Sequence, residues 1–265
     1  PSPVPVVTCL HDIFAYDGDA GGVYGRIQRV RVPQMVQNSD AITTVSEFSK
    51  SQLLTTFDLS PDDVTVVYNG VDPLFRNDDP GEPISTPEPY LLFVGGLNDR
   101  KNFSGLLDAV ARLRREYDVP HELVVAGPTD KAIYATVGER LDRGGVEHLG
   151  FVSERELKYL YANAEAFLFP SLLEGFGVPP LEAMACGTPV VSSDRPCMPE
   201  VLGEAAAFTD PTDSVAFAEA IHRVVSDDEY ARRLRSAGRD HAANFTWERA
   251  AATTRRVLSE VGSDT

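Results

Sequence analysis

Two glutamates, Glu174 and Glu182, stand eight positions apart in the stretch Phe169–Gly187, FPSLLEGFGVPPLEAMACG. Between them lie Gly175, Phe176, Gly177, Val178 and the pair Pro179-Pro180. A helix tolerates proline only in its first turn, so the pair marks a helix start, and Gly187 closes that helix in the left-handed conformation. Gly175 and Gly177 let a ligand approach the backbone, and the N–H groups at a helix start attract phosphate. Carboxylates are poor partners for phosphate but good acceptors from hydroxyls. An acid on each side of an anion site therefore suits a ligand with a phosphate centre and hydroxyl-rich ends, the description of a nucleotide sugar. The same residues also fit a plain turn followed by a capped helix whose acids favour its dipole.

Other side chains could do chemistry. Arg100-Lys101 precedes a helical pattern, where cations are mildly unfavourable, and an anionic partner would explain the pair; the alternative is a solvated pair. His11, followed by Asp12, ends an apolar strand on the side where open α/β sheets hold ligands. His121, His148, His222 and His241 are read as structural. Asp17-Gly18-Asp19 spells a D-x-D metal triplet, but such triplets arise by chance in an acidic chain, and no metal is expected. Arg26, Arg29 and Arg31, interleaved with Ile27, Val30, Val32 and Val36, could lean on an anionic membrane or a lipid-phosphate acceptor, or form a surface helix interrupted at Pro33.

These residues need elements to hold them. Short apolar runs predict strands at Val6–Leu10, Ala41–Val45, Val64–Tyr68, Tyr90–Val94, Leu123–Ala126, Val146–Leu149, Ala166–Phe169 and Pro189–Ser192. Amphipathic runs predict helices at Ser46–Phe57, Asn102–Tyr117, Lys131–Asp142, Ser153–Ala164 and Pro180–Cys186. From Asp213 the pattern is helical to the end, with Thr246 as an N-cap and Trp247 expected to anchor the last helix. Strand and helix in alternation predict an α/β fold with parallel, doubly wound sheets. RNDDPGEPISTPEP, Arg76–Pro89, has no apolar period and reads as a linker. The expected organisation is a partial N-terminal domain over 1–79, a linker at 80–89, a second domain over 90–245 and a C-terminal helix over 246–265. The first domain has too few strands to close a sheet, which suggests that the chain begins partway through it.

Composition bounds the reading. A 265-residue chain with 43% hydrophobic and 24% charged residues can bury a substantial core. The net charge is −16, and only Lys50, Lys101, Lys131 and Lys158 are lysines, which argues against nucleic-acid binding. A lysine-poor acidic chain resembles proteins of salt-loving microbes, and a GC-rich genome has the same effect. Screening over about 8 Å lets local cations still hold an anionic ligand. Cys9, Cys186 and Cys197 fit neither a disulfide framework nor a zinc site. No membrane-spanning run or secretory leader is visible, which points to a cytoplasmic protein with peripheral membrane contact left open.

The stretch Glu174-Gly-Phe-Gly-Val-Pro-Pro-Leu-Glu182 resembles the E-x7-E signature of retaining glycosyltransferases of family GT4. TTVSEFSKSQL, YNGVD, LLFVGGLNDRKNFSGLLDA, HLGFVSERELKYLYANAEAFLFPS and GTPVVSSDRPCMPEVLGEAA agree in order over nearly the whole chain. The resemblance implies a GT-B fold of two Rossmann-like domains and a nucleotide-sugar donor. It implies that Glu174 accepts from donor-sugar hydroxyls and Glu182 from the ribose. Backbone from Gly175 to Val178 (with Phe176 and Gly177), together with Gly95, Gly96, Phe151 and Val152, lines the donor site. Arg100 and Lys101 neutralise the diphosphate, and His11 faces the sugar. Gly96 stands where many relatives have a phosphate-binding arginine, so Arg100 and Lys101 act without it, as in the R-K-N subgroup, many of whose members transfer mannose. The implied reaction is retaining transfer of a hexose, with GDP-mannose favoured, to a glycan, lipid or small-molecule acceptor, with no metal or other cofactor. Two alternatives stay open: a donor-binding module inactive alone, working with a chain that supplies a missing N-terminal half, and a sugar-nucleotide epimerase.

Overall fold

The structure is a computed structural model that describes residues 4–17, 22–128 and 145–263. The chain divides into two compact units, residues 1–70 with 245–265, and 71–244.

In the first unit β1 (Val7–Cys9), β2 (Ala41–Thr44) and β3 (Val64–Val66) form a parallel sheet in the order β1-β2-β3. Cys9 pairs with Thr43, so the strand ends are in register. Three helices, α1 (Phe14–Asp17), α2 (Gly22–Gln37) and α3 (Glu47–Phe57), connect the strands. Ile13, just before α1, and Val32, Val36 and Leu53 on the helices bury against Leu10, Ile42 and Val64. Ser46 caps α3, its hydroxyl accepting from Ser49 N–H at 3.0 Å. The helix α2 runs through Pro33 rather than stopping there. Arg26, Arg29 and Arg31 are exposed on it, as are Ile27, Val30 and Met35.

The second unit holds a six-stranded parallel sheet, ordered β6-β5-β4-β7-β8-β9. Its strands are β4 (Tyr90–Val94), β5 (Glu122–Ala126), β6 (Val146–Gly150), β7 (Ala166–Phe169), β8 (Val190–Ser193) and β9 (Ala207–Thr209). Counted within the unit this is the doubly wound order 3-2-1-4-5-6, whose direction reverses between β4 and β7. Leu91, Phe93 and Leu168 join one core with α4 (Phe103–Tyr117) and α8 (Ser214–Ser226). On the other face Tyr90 donates to Leu160 O at 2.9 Å, in α5 (Glu154–Asn163). Because both faces are covered, β4 and β7 are apolar without alternation. The remaining helices are α6 (Val178–Cys186), α7 (Met198–Leu202), α9 (Asp228–Ala242) and α10 (Trp247–Ser263). The predicted helix at Lys131–Asp142 lies outside the described residues.

The divisions fall elsewhere than the sequence suggested. Residues 71–89 go with the second unit because they are tied to α5. Lys158 is buried, and its ammonium donates to Leu74 O at 2.7 Å, to Asn77 O at 2.8 Å and to Asn77 Oδ1. Arg155 pairs with Asp79 at 2.9 Å. The last helix goes with the first unit and packs on β1 and β2. It starts where expected, since Thr246 Oγ1 accepts from Arg249 N–H at 3.1 Å. Trp247 is not its anchor: the side chain is 49% exposed, and Ala250 and Val257 are the buried residues. Backbone contact fixes the start instead. A side chain at Gly70 would meet Trp247 N at 2.3 Å, so only glycine lets the two segments touch.

Candidate functional site

Each half of the site hangs from a carboxyl end of β4 or β7, the two strands flanking the reversal. After β4 the chain turns at Gly95, whose φ of +143° only glycine adopts readily, and passes through Gly96 and Leu97. Asn98 Oδ1 then accepts from Lys101 N–H at 2.9 Å, capping a single 3₁₀ turn over Asp99–Lys101. Asn102 follows in the left-handed conformation, φ +51°, which asparagine tolerates better than most residues, and its amide donates to Pro211 O at 2.6 Å. Phe103, 2% exposed, packs on Phe93 at 5.3 Å between ring centroids. Burial of such a ring contributes about 2–3 kcal/mol, enough to pin the basic pair just before it.

After β7 the loop Pro170–Gly177 lies against this turn, with Leu172 N–H donating to Arg100 O at 2.8 Å. The contact brings Glu174 to both cations. Lys101 Nζ stands 2.6 Å from Oε1, and Arg100 Nη1 stands 3.2 Å from Oε2 and 3.2 Å from Leu173 O. Glu174 is 7% exposed, so its charge is taken from water and held by two opposite charges. Lys101 Nζ also sits 4.8 Å from the centroid of the Phe169 ring.

The helix α6 starts one turn further on. Gly177 is its N-cap with φ +92°, and a side chain there would meet Met198 Cε at 2.7 Å. Of the four N–H groups that a helix start leaves without intrahelical partners, Pro179 and Pro180 remove two, so Gly177 and Val178 supply the donors. The prolines narrow the anion site that the sequence suggested without abolishing it. Gly187 ends the helix with φ +83° and donates to Met184 O at 2.9 Å. The buried Cys197 thiol reaches Phe176 O at 3.3 Å, fixing the loop from α7.

Glu182 is half-buried, and Tyr161 Oη, on α5, donates to its Oε2 at 3.1 Å. Burial raises its carboxyl to about 7; the Tyr161 hydrogen bond opposes the rise, while the charges of Asp72 and Glu154 add to it. At the carboxyl end of β6, Phe151 is 90% exposed and Val152 half-buried. His11, with Asp12, is exposed in the first unit just beyond β1. Its side-chain hydrogen bond with Cys9 favours the charged imidazole and raises its pKa, partly offset by burial and helped by the charges of Cys9 and Asp12. Of the D-x-D triplet, Gly18 and Asp19 lie outside the described residues.

The structure thus brings Arg100, Lys101 and Glu174 into contact and places Gly95, Gly96 and the Gly175–Val178 backbone in the same two loops. Glu182 joins a different set of neighbours, Tyr161, Asp72 and Glu154. Sequence reasoning missed Asn98, Phe169 and Tyr161. The first carries a legible signal, an asparagine three residues before Lys101, whereas Tyr161 stands 21 residues from Glu182 with nothing local to link them.

The two loops thus stand at the point where the strand order of a doubly wound sheet reverses, where such sheets hold ligands. The family model for glycosyl transferases group 1 matches residues 75–241, and that for glycosyltransferase family 4 matches residues 1–74. The chain belongs to the group 1 glycosyl transferases. It is 30% identical over 260 residues to O-antigen chain mannosyltransferase B of Escherichia coli, covering 94% of this chain and 68% of that one. It is 36% identical over 228 residues to the MMP alpha-(1->4)-mannosyltransferase of Mycolicibacterium hassiacum, covering 83% of this chain and 54% of the relative. Among solved structures, HepE of Anabaena in complex with UDP and glucose superposes with a TM-score of 0.77 at 18% identity, over 98% of this chain and 72% of that one. Sucrose-phosphate synthase of Thermosynechococcus elongatus superposes at 0.76 and 23%, over 98% and 68%. These likenesses establish the GT-B fold. Among the described residues no helix is long and apolar enough to cross a membrane.

Proposed function

We propose that the chain carries the donor site of a retaining hexosyltransferase, with mannose from GDP-mannose the favoured donor group and a glycan, lipid or small molecule the acceptor. The observation that carries the reading is the contact of Lys101 and Arg100 with Glu174 where β4 and β7 diverge. Two cations held beside the loop that leads into α6 suit a diphosphate leaving group, which gains charge as the glycosidic bond breaks. Glu174, already oriented by both cations, accepts from hydroxyls of the sugar attached to that diphosphate. Glu182 accepts from the ribose, and the aromatic face of Phe151 and the backbone of Val152 border the base. His11 is the first unit's candidate for the transfer step. The mannosyltransferase names of the two relatives and the Arg100-Lys101-Asn102 run support the choice of sugar.

In this reading the acceptor hydroxyl attacks on the face that the diphosphate leaves, and the departing phosphate takes its proton. Glu174 positions the sugar and forms no bond to it. The site uses no metal, because its two cations carry the leaving-group charge. A thermal-shift panel of GDP, UDP and ADP, free and as hexose conjugates, in molar and in low salt, tests the reading. Stabilisation by one nucleotide, strongest for its sugar conjugate, is expected; a flat response to all of them overturns it.

A further inference from the structure

Glu182 has a neighbourhood that its sequence position does not explain. The Tyr161 ring is fully buried, packed edge-on against Phe75 at 5.8 Å and Phe167 at 5.4 Å between centroids. Thr188 Oγ1 holds the backbone by donating to Tyr161 O. The phenol therefore has one place to point, and it donates to Glu182 Oε2 at 3.1 Å. Such a donor is costly to bury without a partner and is locked once it has one.

We propose that Tyr161 is the positioning residue for Glu182, gripping one carboxylate oxygen so that the other is presented to the hydroxyl pair of a bound nucleotide's ribose. This rests on the assignment of Glu182 to the ribose. The surroundings otherwise oppose a charged carboxylate there. Asp72, on the segment before the 3₁₀ turn Pro73–Arg76, and Glu154, at the start of α5, are like charges. The thiol of Cys186, one turn along α6, is pushed up to about 12 by burial and is neutral. The cations Lys158 and Arg239 act on Cys186, with Lys158 already engaged by Leu74 and Asn77 and Arg239 donating to Cys186 O. The Tyr161 hydrogen bond is the one interaction among these that favours the carboxylate over the carboxylic acid at Glu182. A protonated Glu182 would offer the ribose a weaker acceptor, so nucleotide affinity should fall on the acid side of neutrality, and Tyr161 sets where.

The test uses the full chain and Tyr161→Phe, which removes the oxygen and keeps the ring. Dissociation constants for GDP, UDP and ADP are measured by calorimetry between pH 5.5 and 8.5. Wild type should lose affinity as pH falls. In Y161F the loss should begin at higher pH, with affinity about three- to tenfold weaker than wild type near pH 7. E182Q should be flat with pH, and adding Y161F to it should change nothing further. A Y161F profile parallel to wild type would show a packing role only and overturn the proposal. If wild type binds none of the three nucleotides, it is the donor-site reading that fails. Should Y161F not fold, wild type grown on 3-fluorotyrosine provides the second measurement. The fluorinated phenol is a stronger donor and must lower the titration midpoint of the Glu182 carboxyl, read as the ¹³C signal that E182Q abolishes; an unchanged midpoint overturns the proposal.

Discussion

Replacing Lys101 by methionine separates what the Lys101–Glu174 contact does for the fold from what it does for a ligand. The substitution keeps an unbranched stem one atom shorter but removes the ammonium, and with it the charge 2.6 Å from Glu174 Oε1 and the contact with the Phe169 ring. Breaking a buried ion pair from one side costs about 3–5 kcal/mol, because the surviving charge is stranded. Glu174 keeps Arg100 at 3.2 Å, and the Arg100 side chain is 37% exposed, so solvent and the second cation take up part of the loss. A destabilisation of about 2–3 kcal/mol follows, measured by urea denaturation. The ligand effect has another origin. A charge-assisted hydrogen bond to a phosphate is worth about 1.5–3 kcal/mol, so the nucleotide diphosphate that binds wild type should bind K101M about 10- to 150-fold more weakly. The double variant K101M/E174Q decides the matter. With no stranded charge left, it should recover most of the stability of K101M while binding nucleotide no better. Wild-type affinity in K101M, or a double variant as unstable as the single, would refute the reasoning.

Two further substitutions test parts of the site's support. Glu182 is raised from the ordinary 4.5 to about 7, so between those pH values the unfolded chain has lost a proton that the folded one retains, and stability falls as pH rises through the window. At about 1.4 kcal/mol per pH unit the loss approaches about 3 kcal/mol above pH 7. E182Q should therefore gain stability relative to wild type between pH 4.5 and 8, as measured by paired urea titrations; a difference independent of pH would count against the buried carboxyl. Lys158→Met leaves Leu74 O, Asn77 O and Asn77 Oδ1 without their donor and should cost about 3 kcal/mol in urea denaturation. A cost under about 1 kcal/mol would mean that the segment is held by other contacts.

The strands Tyr90–Val94 and Ala166–Phe169 are where the sequence put them, to the residue, because both are continuous apolar runs between sharp breaks. Gly187 is equally legible, since its left-handed turn after an apolar helix leaves little choice. β9 was not read: Ala207–Thr209 is three residues long and carries no period to detect. Meeting points across distance were hidden too. Lys101 and Glu174 are 73 positions apart, and nothing local to either names the other; only the strand order, which sets β4 beside β7, does so. The segment Arg76–Pro89 looked like a linker because its prolines and acids have no apolar period. Its attachment is made through carbonyls, which every residue has, to a lysine that a sequence pattern assigns to the surface.

The discontinuity of the first unit bears on the order in which the protein matures on the ribosome. Residues 71–244 are one uninterrupted stretch and can reach their native packing as soon as they emerge. The sheet of β1, β2 and β3 is made earlier yet must wait, since Ala250 and Val257 of the helix that covers it are translated after the whole of the other unit. Throughout that interval the part of the sheet that this helix covers stays open to water.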